Sequence, residues 1–216
     1  MAIYRLILGN KNYSSWSLRA WLMLKFAGAE FTETTVLFGR PDMKENLRRL
    51  SPTGLVPVLE HGDLIIPDSI AIAEYLAERH PDANLWPAEA AARAVARSVS
   101  AQMHAGFVAL RGQMPMNLTH VTDRVTPSPD TLADIARIQD IWRTCRRDHG
   151  AGGTFLFGQP TIADAMYAPV VSRFRTYGVA VDTDTRAYMD AVWALPAMAE
   201  AVALAAQEAR IPEYEL

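Results

Sequence analysis

The sequence predicts an α/β domain followed by an all-helical domain, and three observations carry that expectation. Over roughly the first 80 residues, short β-branched apolar runs alternate with segments of helical period. After His80-Pro81-Asp82 the composition changes, alanine dominates and strand-type runs stop. Five segments of helix length then fill the remainder of the 216 residues.

Ile3–Gly9 is short, apolar and rich in branched residues, as a buried strand requires. In NYSSWSLRAWLMLKFAG (12–28), Leu18, Trp21, Leu22 and Phe26 recur at helical spacing, and Gly28 is placed to end the helix. Phe31–Leu37 has strand composition, Asp42–Leu50 reads as a short polar helix, and Ser51-Pro52-Thr53-Gly54 is a turn. Val56–Glu60 and Leu64–Ile66 flank His61-Gly62-Asp63 as a hairpin, and Ser69–Arg79 is helical with Ile70, Ala73, Leu76 and Ala77 on one face. The expected domains are residues 1–81 and 88–216, joined by Asn84-Leu85-Trp86-Pro87. Helices are expected over 88–112, 129–149, 161–177, 184–194 and 197–210, with a proline-bearing loop over 113–128. Thr161-Ile162-Ala163-Asp164 has capping-box spacing.

Half the residues are hydrophobic, enough for a substantial core without metal or disulfides. The net charge of -3 is mixed along the chain, with no basic stripe for nucleic acid. Cys145 is the sole cysteine, so no internal disulfide forms, which fits a reducing compartment. No signal peptide is expected, and no apolar run reaches membrane-spanning length, so the expectation is a soluble cytoplasmic protein with no membrane partner. There is no GxSxG, Walker loop or GxGxxG, and the histidines at 61, 80, 104, 120 and 149 never fall in metal-ligand spacing, so no metal is expected.

Three local features bear chemistry. Where a redox protein of βαβ type carries CxxC, this chain has Ser14-Ser15-Trp16-Ser17, so disulfide exchange there is excluded. Serines at a helix start are favoured N-caps. Beside the unpaired N–H groups and partial positive charge of a helix N-terminus, a hydroxyl also favours the thiolate form of a thiol held there. In Gly54-Leu55-Val56-Pro57-Val58-Leu59, the proline either marks an edge strand or forms a cis Val56–Pro57 bond that frees the Val56 N–H and C=O for an extended peptide. Pro67-Asp68-Ser69 precedes a helix; it either starts that helix only or receives a carboxylate and an ammonium, the two charges of an amino-acid head group.

Together these features resemble the glutathione transferase family, nearest its serine-dependent and zeta-like branches. SSWSLRAWL is similar to the zeta signature SSCSxRVRI. SPTGLVPVLEHGDLIIPDSIAIAEYLAERHP resembles the family's third strand, cis-proline, hairpin and third helix, and FLFGQPTIADAMYAPVV its helical-domain capping box. The resemblance implies a thioredoxin-like glutathione-binding domain, an all-α domain contributing the electrophile site, and a homodimer. It implies that Ser14 or Ser15 faces the glutathione sulfur, and that Val56, beside Pro57, bonds the cysteinyl backbone. Asp68 and Ser69 would hold the γ-glutamyl head, and Arg40 or Lys44 the glycine carboxylate. The second substrate, a small electrophile, would meet Met103, His104, Phe107, Arg111 and Met114, a stripe that is equally suited to core or dimer interface. Arg19 aligns with the motif arginine, and Asp164 reads as a fold residue. Two positions depart from the zeta pattern: Trp16 replaces Cys, and Thr176 occupies the place of a carboxylate-binding arginine, with Arg173 and Arg175 close by. The function implied is thiolate conjugation, with two rivals: a glutathione-dependent cis–trans isomerase of the maleylacetoacetate type, and a non-catalytic binding protein.

Overall fold

The computed structural model describes residues 4–215. Strands β1 (Tyr4–Gly9), β2 (Phe31–Val36), β3 (Val58–His61) and β4 (Leu64–Pro67) form one sheet in the order β2-β1-β3-β4. β1 and β2 run parallel, joined by helix α1 (Ser15–Phe26) as a crossover, and the β1–β3 and β3–β4 pairs are antiparallel. β1 is central and almost wholly buried, which is why YRLILG reads as a near-continuous apolar run. Helices α2 (Met43–Leu50) and α3 (Ser69–Arg79) complete this α/β unit.

The helical unit comprises α4 (Ala90–Ala105), α5 (Val108–Gln113), α6 (Pro129–His149), α7 (Ile162–Thr176), α8 (Thr183–Trp193) and α9 (Pro196–Ala205). α7 buries 14 of its 15 residues and packs against α1 on one side and α4 on the other. A helix covered all round is the axis of a core, and one apolar cluster runs from Leu6, Leu18 and Trp21 through Tyr167 and Phe174 to Trp142. The site lies along this seam. Among the described residues no single helix is long and apolar enough to cross a membrane.

Beyond shifts of one or two residues at element ends, three features differ from expectation. The expected helix 88–112 is broken: Phe107 takes a left-handed backbone (φ 55) after Gly106, and α5 restarts with its Leu110 N–H donating to Asp134 Oδ2 at 3.0 Å. Glycine is a poor helix former, and α6 supplies the acceptor that rewards the turn. The third strand starts at Val58, not Val56, and lies inside the sheet, not at its edge; Pro57, which cannot donate to a ladder, stands just before it on a cis bond to Val56. The last helix ends at Ala205 instead of Arg210, and the chain turns back across the α/β unit. Ile3, expected to begin β1, lies outside the described residues.

Asp164 is fully buried at the start of α7. Its carboxylate accepts the Thr161 N–H (2.8 Å), the Thr161 hydroxyl (3.1 Å) and the Leu156 N–H (3.2 Å), closing the capping box. Burial raises its pKa to about 6 against the lowering pull of the Thr161 and Leu156 donors. A folded value above the unfolded one adds stability that is complete below about pH 4 and is lost as pH rises through about 6. We expect Asp164→Ala to cost about 3 kcal/mol by orphaning buried donors. Urea unfolding should also show that the variant lacks this pH dependence between 4 and 6.

Candidate active site

The end of β1 and the start of α1 are joined by hydroxyls. Ser14 is the N-cap, in extended backbone; its Oγ accepts the Ser17 N–H at 3.3 Å and donates to Ser17 Oγ at 2.8 Å. Ser17 Oγ also accepts the Gly9 N–H at 2.9 Å, so the helix is clamped to the strand that precedes it. A Cβ at Gly9 would meet the tip of the Phe38 ring at 2.4 Å and Ser14 Cβ at 3.1 Å, so a larger residue there would push Phe38 aside. Ser14 is thus committed to the cap. The Ser15 hydroxyl has no hydrogen-bond partner among the described residues, and it lines the cleft at the first turn of α1.

That cleft, about 780 Å³, is floored by Tyr13, Ser14, Ser15 and Trp16. It is also lined by Phe38, Met43 and Leu47, by Gly112 and Pro115 of the helical unit, and by Ile211, Glu213 and Tyr214 from the segment after α9. A second hollow of about 330 Å³ adjoins it through Trp16, Leu55 and Val56 and ends at Pro67, Asp68 and Ser69. Among the described residues the Val56 N–H and C=O enter no backbone hydrogen bond, so both are available to an extended ligand. Asp68 holds φ 80, a strained conformation for a non-glycine residue and one that gathers at functional sites. Its Oδ1 caps α3 through the Ile70 N–H (2.8 Å), and its Oδ2 lies 3.3 Å from His104 Nε2. The Ser69 hydroxyl is buried without a partner, a cost that a ligand would relieve.

Cations gather behind the serines. The Arg19 guanidinium is wholly buried; its Nε donates to Met166 O at 3.2 Å, and both terminal nitrogens lack partners. Trp16 lies between Arg19, 4.4 Å from its ring centroid, and Arg111, at 5.4 Å, with the His104 ring edge-on at 5.0 Å. Arg173 is buried nearby, donating to the Met114 and Pro169 carbonyls. Burial, with the Arg173 and Arg111 charges, lowers the Arg19 pKa to about 9; burial and Arg111 lower that of Arg173 to about 10. Both stay protonated at neutral pH. Among the described residues none of the three arginines has an ion-pair partner.

Not every expected site residue converges here. Met103 and Met114 are fully buried core residues and do not reach the cleft. Phe107 sits at the helix break, packed against the core. His104 and Arg111 act through Trp16 and Asp68 and do not line the cleft itself. Lys44 lines a small cleft with Arg48, Ser51 and Thr53 beside the hollow; Arg40 lines neither space. Arg175 lies elsewhere, paired with Asp190 (3.4 Å) and stacked on Trp193 (4.5 Å), and Thr176 donates to Asn117 O. Sequence reading missed Trp16 as a hub and the covering residues Ile211, Glu213 and Tyr214. The aromatic at 16 was visible as a departure from the motif; the tail carried no local signal.

A hydroxyl-bearing helix start, a free backbone edge and a hollow at the start of a second helix thus lie together on a four-stranded sheet beside a helical unit. The family model for the glutathione S-transferase N-terminal domain matches residues 13–79, and that for the C-terminal domain matches residues 101–195. The chain belongs to the glutathione S-transferase family. It is 40% identical over 82 residues to Glutathione S-transferase 1 of Dianthus caryophyllus, covering 38% of this chain and 36% of that protein. It is 33% identical over 104 residues to the Probable maleylacetoacetate isomerase of Caenorhabditis elegans, covering 48% of each. It thus spans less than half the length of these two curated relatives. Against the Maleylpyruvate isomerase of Ralstonia sp it is 26% identical over 178 residues, 78% of this chain and 84% of that protein. In structure it resembles the holo form of Maleyl Pyruvate Isomerase, a bacterial zeta-class glutathione S-transferase (TM-score 0.74, 24% identity, 95% of this chain and 100% of that one). That likeness establishes the fold.

Arg19 either ties α1 to α7 or serves as a charge. Replacing a lone buried cation with an apolar side chain of similar length removes a desolvation cost. We expect Arg19→Met to leave stability unchanged or to raise it by about 1 kcal/mol in urea unfolding. A loss of several kcal/mol would make the tie to Met166 the role of Arg19.

Proposed function

We propose that this chain is a glutathione transferase that holds the glutathione thiol as a thiolate at the start of α1 and directs it at a small electrophile. The observation behind the proposal is the free Ser15 hydroxyl at the helix N-terminus, opening on a cleft joined to the Val56 edge and the Asp68–Ser69 hollow. In this reading the γ-glutamyl carboxylate takes the Ser69 hydroxyl and its ammonium takes Asp68. The cysteinyl amide pairs with Val56, and Lys44, not Arg40, meets the glycine carboxylate. The sulfur then lies at the α1 N-terminus. There the Ser15 O–H donates to it, and the helix dipole and the buried Arg19 charge favour the anion. No base is required, because a thiol of pKa roughly 8.5 needs only modest lowering to ionise near neutral pH. The thiolate attacks the electrophile in the larger cleft. A cytoplasmic setting and a homodimer that covers Leu64 and Ile65, exposed on the open β4 edge, belong to the same reading.

A second reading is glutathione-dependent cis–trans isomerisation, in which the thiolate adds to the substrate and is later expelled. The unpaired cations Arg111 and Arg173 beside the site favour it, since they suit an electrophile bearing carboxylate groups. Two of the relatives named above are isomerases of maleyl compounds. Incubation with a maleyl-type cis-enedioate separates the two: conjugation consumes glutathione in step with substrate, whereas isomerisation returns it.

The direct test follows thiolate ultraviolet absorbance of bound glutathione against pH. We expect a depressed pKa in the wild type, raised by about one in Ser15→Ala through loss of a charge-assisted hydrogen bond. Ser14→Ala should instead cost about 1 kcal/mol of stability, as a lost N-cap does, with a smaller effect on the thiol. Asp68→Asn keeps the cap acceptor but removes the charge, and calorimetry should find glutathione affinity lowered about tenfold or more. Binding without any thiol depression would instead support a non-catalytic binding protein.

A further inference from the structure

The segment after α9 does not trail away. It returns across the α/β unit and binds the loop that delivers the serines. Glu208 accepts two successive backbone donors with one carboxylate, the Lys11 N–H at 2.7 Å and the Asn12 N–H at 3.1 Å. The Tyr13 hydroxyl, next to the serine pair, accepts the Ile211 N–H at 3.1 Å and donates to Glu215 Oε1 at 3.0 Å. Asn117 donates to the same Glu215 oxygen at 3.0 Å and to Tyr214 O at 3.2 Å, which ties the segment to the loop after α5. The Tyr214 ring stacks on Tyr13 at 4.9 Å and 30°, and Ile211 lies 3.6 Å from the place a Cβ would take on Gly39. Ile211, Glu213 and Tyr214 all face the larger cleft.

We propose that residues 208–215 are a strap over the electrophile cleft, with Glu208 and Glu215 as positioning residues for the serine loop and Tyr214 as a determinant of electrophile size. The physical logic has two parts. Lys11, Asn12 and Tyr13 precede the helix N-terminus, and a loop whose two amides are held by Glu208 and whose Tyr13 hydroxyl is held by Glu215 presents the Ser15 hydroxyl in one place. The same segment closes the cleft with a stacked tyrosine pair and an isoleucine, so space for the electrophile ends where Tyr214 begins. The second part rests on the transferase reading; the first does not.

The test therefore has one arm free of ligand. Amide hydrogen exchange of the full chain, without glutathione, is compared among wild type, Glu208→Ala and Glu215→Ala. The two Glu208 contacts are charge-assisted bonds, so Glu208→Ala should speed exchange at Lys11 and Asn12 about tenfold; Glu215→Ala should speed exchange at Ile211 by freeing the Tyr13 hydroxyl that accepts its N–H. With glutathione and a homologous series of electrophiles, Glu208→Ala should raise the bound thiol pKa and lower kcat while KM for glutathione holds. Tyr214→Ala should leave exchange at Lys11 and Asn12 as in wild type but shift kcat/KM several-fold toward the bulkier electrophiles. Unchanged exchange at Lys11 and Asn12 in Glu208→Ala overturns the anchoring, and unchanged size preference in Tyr214→Ala overturns the cleft role. If wild type binds no glutathione, the transferase reading fails, and with it the cleft role, while the exchange arm still decides the anchoring.

Discussion

The site depends on one side chain that never meets a ligand in this account. Ser17 Oγ receives the Gly9 N–H from the end of β1 and the Ser14 hydroxyl from the cap of α1. Those two bonds hold the first turn of the helix against the strand that feeds it. Because Ser14 is spent on this clamp, the next hydroxyl, Ser15, is left free at the positive end of the helix. The cap is Ser14, and the proposed contact to a thiol falls to Ser15, a different member of the cluster.

The clamp sits on the seam between the two units, and the seam has an unusual electrostatic character. Arg19 and Arg111 both lie against Trp16, Arg173 is close enough to repel Arg19, none of the three has an ion-pair partner among the described residues, and Arg19 and Arg173 are buried. Buried cations are costly unless paired, and mutual repulsion adds to the cost. Such an arrangement is tolerable where an anion arrives with the ligand. Glutathione brings carboxylates and, once ionised, a thiolate; a carboxylate-bearing electrophile would bring more. Asp68, strained in backbone and capping α3, shares the smaller hollow with Trp16 and reaches His104 of α4, while Gly112 and Pro115 of the helical unit line the larger cleft.

Much of this was legible in the residues. Strand and helix patterns located every element of the α/β unit, since β1 is a buried apolar run, α1 is apolar and almost wholly buried, and α3 buries one face. Thr161 and Asp164 announced the capping box, and the serine run, Pro57 and Asp68–Ser69 all line the cleft or the hollow beside it. What failed was non-local. The break at Gly106–Phe107 depends on an acceptor from α6, the burial of Met103 and Met114 on how α4 and α5 pack, and the reach of the tail on Glu208 finding amides about two hundred residues earlier. No helical or strand period encodes such pairings. The choice between Ser14 and Ser15 likewise required knowing where the Ser17 hydroxyl points.

The most direct test of this division of labour is a crystal structure with glutathione bound. The sulfur is expected within hydrogen-bonding reach of Ser15 Oγ, with the Ser14–Ser17 bond and the Gly9 N–H contact to Ser17 both intact. A sulfur seated on Ser14 Oγ, with the Ser14–Ser17 bond broken, would contradict it.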